Sequence, residues 1–243
     1  MAFFIGNSFC SICQKSEDQL KSELSLCIDG LNAKGIQLTH SFIQSARIPG
    51  SPYFWTKISI KNTENNNSLY FKIHLDDTKE HFLNSDCDVM CELHLHSKIY
   101  SIRPDVNAIF HAKSPYLNYV IKNGLNLVHA EAALILGDIP IIEKTSTSEK
   151  ISEQSYESII SRACTGEPLR PIRILFLNGN GILSLGGCIH ESRAFLEIID
   201  EWAKFSVISR LYNDNIHVLS IDQLRDLGSR YARSIKFGGR INV

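Results

Sequence analysis

Between residues 91 and 115 the hydrophobic period changes twice, and this restricts the chain to a mixed architecture. Residues 91–100 place apolar side chains at helical spacing. Arg103-Pro104-Asp105 then breaks the pattern, because proline lacks a backbone donor and clashes with the turn before it. Val106-Asn107-Ala108-Ile109-Phe110-His111 reads as a buried strand, and Ser114-Pro115 supplies a helix cap with a first-turn proline. A helix, a strand and a second helix in such quick succession suit neither an all-α nor an all-β domain.

The rest of the chain alternates in the same way. Ser16-Glu17-Asp18-Gln19 fits a capping box, Leu20, Leu24, Cys27, Ile28 and Leu31 follow at helical spacing, and Gly35 supplies a stop. Residues 52–60 and 68–75 alternate and flank a polar stretch at 62–67, which predicts a hairpin. Strands are expected near 133–141 and 172–177, and helices over about 148–164, 191–212 and 220–235. No Pro/Gly/Ser-rich linker or internal repeat divides the 243 residues. The expected fold class is therefore α/β, a single mixed domain over residues 1–243 with a central β-sheet flanked by helices.

Composition removes several function classes. Hydrophobic residues at 44% and charged residues at 21% exclude a disordered or fibrous chain. Lys and Arg total 25 against 26 Asp and Glu, with no basic block to release counterions, so no nucleic-acid partner is expected. The opening Ala2-Phe3-Phe4-Ile5 is too short for a signal peptide, and no apolar run nears the roughly 18 residues that span a bilayer. No membrane association and a cytoplasmic location are expected. Seven cysteines leave at least one outside any internal disulfide, which suits reduced thiols. Cys10-x-x-Cys13 has zinc or redox spacing, but Cys87 and Cys91 do not complete a zinc-ribbon pattern.

Glu92, His96 and Tyr100 recur every four residues and share one helix face. The structural reading of that face is a helix start with a hydrogen-bonded core histidine. After it, His111 and Lys113 lie two apart at the end of an apolar strand, on one side of it, as at the mouth of a site.

The run from Glu92 through His96, Tyr100, Arg103-Pro104-Asp105-Val106 and His111 to Ser114-Pro115 resembles the core signature of the class II aldolase/adducin family. Thr39-His40, Ser45-Ala46-Arg47-Ile48-Pro49-Gly50, Glu131-Ala132 and Leu136-Gly137 resemble further segments, in order. Leu175-Phe176-Leu177-Asn178-Gly179-Asn180-Gly181-Ile182, with Gly186 and a long helix after it, resembles the family's L-x-x-x-H-G segment.

The resemblance implies an enzyme fold whose active members hold zinc or another divalent metal, commonly as homotetramers with sites at subunit interfaces. In them an H-x-H pair and a later histidine bind the metal, and a glutamate moves a proton at an enediolate carbon. Carried over, the glutamate is Glu92 and the first ligand is His111, but Lys113 and Asn180 stand where the second and third ligands would be. Zinc normally needs three protein ligands and an open position, so no metal and no other cofactor is expected. The segment matching the family's phosphate-binding turn, residues 38–45, has no glycine, which weakens the case for a sugar phosphate.

Lys113 could stabilise an oxyanion in place of the metal, form a Schiff base, or pair with Glu92 in a dead site. His94 and His129 could build a displaced metal site. Two readings follow. One is a metal-independent lyase, epimerase, dehydratase or decarboxylase for a small carbonyl-containing metabolite. In it Glu92, Lys113 and His111 are catalytic, and His96, Asn180 and Tyr100 bind substrate. The other is an inactive adducin-like scaffold or binding subunit. A homotetramer is expected on either.

Overall fold

The structure is a computed structural model that describes residues 15–36, 43–59, 68–76, 87–136, 139, 141–142, 153–164, 172–178, 180–212 and 219–238. Cys10, Cys13, Thr39, His40, Gly137, Gly179 and the polar stretch at 62–67 lie outside the described residues. Helix α1, Glu17–Ala33, begins at the anticipated capping box: Gln19 N–H donates to Ser16 Oγ, and the Gln19 side chain accepts from Ser16 N–H. Its buried residues are Leu20, Leu24, Cys27, Ile28 and Leu31. Gly35 follows the end of the helix with φ +77°, a conformation that costs a side-chain-bearing residue more than glycine.

Among the described residues a seven-stranded sheet runs in the order β3-β2-β1-β4-β7-β6-β5. The strands are β1 Gln44–Ala46, β2 Tyr53–Ser59, β3 Ser68–His74, β4 Ala108–Ala112, β5 Ile141–Ile142, β6 Ile174–Leu177 and β7 Gly181–Gly186. Every pairing is antiparallel except β5 with β6. The expected hairpin is β2 with β3, in register from Tyr53 opposite His74 to Ser59 opposite Ser68.

Period-two alternation divides the central strands between two cores. Ala46, Ala108, Phe110, Ala112, Ile174, Phe176 and Ile182 join the core beneath α1, α3 (Pro115–Asn123) and α6 (Ile189–Leu211). Ile43, Ile109, Leu175, Leu177, Leu183 and Leu185 join the opposite core, beneath α2 (Cys87–Ile102) and α5 (Glu153–Cys164). A sheet covered on both faces explains why β4 and β6 read as nearly continuous apolar runs. Helix α7, Ile221–Gly238, packs against α4. No described helix is long and apolar enough to cross a membrane.

One expectation fails outright. The strand placed near 133–141 is instead helix α4, Ala130–Leu136, and among the described residues of this stretch the sheet takes Ile141–Ile142. Ala-Glu-Ala-Ala-Leu-Ile-Leu is made of strong helix formers, and Ala132, Ala133 and Leu136 are buried along one helical face. Strands β1 and β7 were not anticipated, and α2 begins four residues before the expected start at 91.

Candidate active site

Strand β4 ends in a polar corner. Its core-forming residues Ala108, Phe110 and Ala112 point to one face, so His111 and Lys113 take the other, towards α2. Antiparallel pairing sets His111 opposite Leu183 and Ala112 opposite Ile182 on β7, which brings the turn before β7 alongside Lys113. Gly181, where that turn enters β7, has φ +85°, and a Cβ there would run into the Ala112 carbonyl and Lys113 Cγ. Only a glycine lets the backbone pass so close to the lysine stem.

Helix α2 supplies the acid. Its four-residue spacing turns Glu92, His96 and Tyr100 onto the sheet, and all three are buried. One Glu92 oxygen accepts the Ile43 N–H at 3.0 Å, and the other contacts His111 Nδ1. His111 Nε2 lies 2.6 Å from the Asn180 carbonyl oxygen. A carbonyl can only accept, so Nε2 carries a hydrogen, and one further proton lies between Nδ1 and the carboxylate. Glu92 and His111 therefore share a single proton, as carboxylate with imidazolium or as carboxylic acid with imidazole.

Behind this pair, Ser45 Oγ on β1 is 2.8 Å from His96 Nδ1 and 2.8 Å from the Tyr100 hydroxyl. Burial, helped by the nearby charge of His111, pushes the His96 pKa down to about 3, so the ring stays neutral. Burial also raises the Tyr100 pKa, partly offset by its bond to Ser45 and by Arg47, whose guanidinium sits 4.7 Å over the phenol ring. Arg47 donates to the Val106 carbonyl and the Asn107 side chain, which locks the far end of this polar row.

The structure thus gathers Glu92, His111, Lys113 and Asn180 at one corner. His96 and Tyr100 turn inward onto Ser45 instead. Glu92, expected to face Lys113 in the ion-pair alternative, meets His111 directly. Asn180 acts here through its backbone carbonyl, which no reading of side chains would reveal. Ser45 was also missed as a bridge, since a serine on a three-residue strand carries no sequence signal of its own.

A divalent metal of the kind the resemblance implies does not suit this donor set. His111 Nε2 is committed as a donor to Asn180, and Lys113 brings a cation to a ligand position. Among the described residues, no three His, Cys, Asp or Glu side chains are gathered as a ligand set. The displaced set with His94 and His129 does not assemble: His129 Nδ1 accepts the Ala132 N–H at the start of α4, and its ring packs edge-on against Phe205.

Residues 39–207 match the model of the class II aldolase and adducin N-terminal domain. An L-fuculose phosphate aldolase of Methanococcus maripaludis is 27% identical over 124 residues, which cover 48% of this chain and 60% of that protein. Among solved structures, YgbL from Escherichia coli superposes with TM-score 0.68 at 15% identity, over 88% of this chain and 100% of that one. An L-fuculose-1-phosphate aldolase from Thermus thermophilus gives 0.62 at 17%, over 84% and 100%. At such identities the superpositions speak for the fold. The family model, by contrast, spans more than half of the sequence and takes in the β4 corner, α2 and the turn before β7, so this chain belongs to the class II aldolase and adducin N-terminal domain family.

Proposed function

We propose that the protein is a lyase- or epimerase-type enzyme for a small carbonyl-containing metabolite and works without a divalent metal. The observation that carries this reading is the proton-sharing contact of Glu92 with His111, beside Lys113 and the Asn180 turn. In carboxylate form, Glu92 takes a proton from the carbon next to a carbonyl, and the electron pair of that C–H bond moves onto the carbonyl oxygen. The Lys113 ammonium and the His111 imidazolium set positive charge where that oxyanion develops, the electrostatic task a metal performs elsewhere. Returning the proton to the opposite face epimerises the carbon, while breaking the adjacent C–C bond is the aldolase direction. The M. maripaludis relative, named for aldol chemistry on a sugar phosphate, supports this reaction class.

The test is exchange of the carbon-bound α-proton of small hydroxyaldehydes, hydroxyketones and their phosphates into D₂O, with a chelator present and followed by NMR. Exchange that survives the chelator and falls at least about 100-fold in Glu92→Gln and in Lys113→Met supports the reading. Activity that the chelator abolishes, or that Glu92→Gln retains, overturns it.

A second reading, a non-catalytic scaffold or binding subunit, draws on one feature. Both His111 nitrogens are already engaged within the chain, and the ligand positions changed in two separate segments, at Lys113 and Asn180. On that reading the same two variants alter stability alone.

A further inference from the structure

The polar row behind the acid has a direction. Among the described residues the hydrogen-bond partner of the Tyr100 hydroxyl is Ser45 Oγ, so the phenol hydrogen goes there. Ser45 in turn gives its own hydrogen to His96 Nδ1. With the order reversed, the phenol hydrogen would be buried without an acceptor, an arrangement that burial penalises. A neutral His96 that accepts at Nδ1 carries its ring hydrogen on Nε2. His96 is 0% exposed, and among the described residues that Nε2 is the buried side-chain nitrogen or oxygen without a hydrogen-bond partner. Two hydroxyls therefore fix the tautomer of an imidazole whose donor meets no acceptor among the described residues. His96 sits one turn after Glu92 on the same face of α2, next to the corner that holds His111.

We propose that His96 Nε2–H binds one oxygen atom from outside the chain, a carbonyl, enolate or carboxylate oxygen of the ligand at the Glu92–His111–Lys113 corner, with Ser45 and Tyr100 as its positioning residues. This deepens the proposed function and rests on it. It also narrows the ligand: the oxygen must accept a hydrogen bond, and a compound with two neighbouring oxygens can meet His96 and Lys113 together. An ordered water offers the same acceptor chemistry when no ligand is bound.

The test uses ¹⁵N-histidine NMR on the whole chain, with oxalate as a small planar anion of two adjacent oxygens. His96 is expected as the Nε2–H tautomer, with a cross-peak to water in the free protein that is replaced by an oxalate-dependent shift. Ser45→Ala should lose the tautomer preference and weaken oxalate binding about tenfold or more, and Ser45→Thr should restore both. A His96 proton on Nδ1, or on Nε2 but coupled to a protein carbonyl, overturns the proposal in the unaltered protein, whether or not the serine variants fold. Oxalate that shifts His111 but leaves His96 unmoved also overturns it while leaving the proposed function standing. Oxalate that shifts neither counts against the proposed function, and the water cross-peak then decides the His96 site on its own.

Discussion

His96 and Tyr100 tie the protein's stability to pH. In an unfolded chain a histidine takes up its proton near pH 6.5, whereas burial holds His96 neutral down to about 3. Below 6.5 the unfolded state therefore binds more protons. The contribution of neutral His96 is complete above that pH and is lost progressively as pH falls towards 3. Between pH 7 and pH 5 this amounts to about 2 kcal/mol. Urea unfolding should show His96→Gln losing about that much of the pH dependence, and an unchanged difference would refute the assignment. Lys113 and Asn180 allow a second test. If Lys113 and Asn180 stand at the ligand positions that the family resemblance implies, the double change Lys113→His with Asn180→His rebuilds a three-histidine set with His111, and it should take up zinc or cobalt with a rise in melting temperature, because a ligand that binds only the native state stabilises it. Metal analysis that finds none bound would break the correspondence of these positions with the family's ligands. At this scale the sequence showed which residue types share a face, but not that His111 bonds the backbone of Asn180, since no side-chain pattern encodes a carbonyl.

Among the elements, local signals proved reliable wherever the chemistry was local. The Ser16 capping box, the Ser114-Pro115 start of α3 and the stop at Gly35 all stand as read, because each depends on neighbours a few residues away. Strands β1 and β7 were not legible. Both are short and buried on each face, so neither shows the alternation that reveals a half-exposed strand. The two glycines with positive φ separate local from tertiary constraint. Gly35 has φ +77° and open space around it, so Gly35→Ala should cost about 1 kcal/mol. Gly181 has φ +85° and would drive a Cβ into the Ala112 carbonyl and the Lys113 stem, so Gly181→Ala should cost roughly 2–4 kcal/mol. Thermal unfolding of the two variants checks this, and equal losses would mean that the turn does not press on Lys113.

For the molecule as a whole, we expect a homotetramer and one cooperative unit over residues 1–243. Light scattering should return about four times the 27.4 kDa chain mass, and calorimetry a single transition. A monomer at micromolar concentration would also weaken the enzymatic reading, since the family's sites borrow residues from a neighbouring subunit. Two resolved transitions would divide the chain into separate domains.

The sequence by itself determined the α/β class, the amphipathic faces of α1 and α2 and the family, because these rest on spacing and on residue types within short windows. Through the family resemblance it also pointed to Lys113 and Asn180 as changed ligand positions. Only the tertiary structure decided what Glu92 meets. That the carboxylate reaches His111 depends on the register of β4 against β1 and β7 and on how α2 lies across them. Pairing between residues far apart in sequence is set by how whole surfaces fit, so it leaves no trace in the spacing of either segment alone.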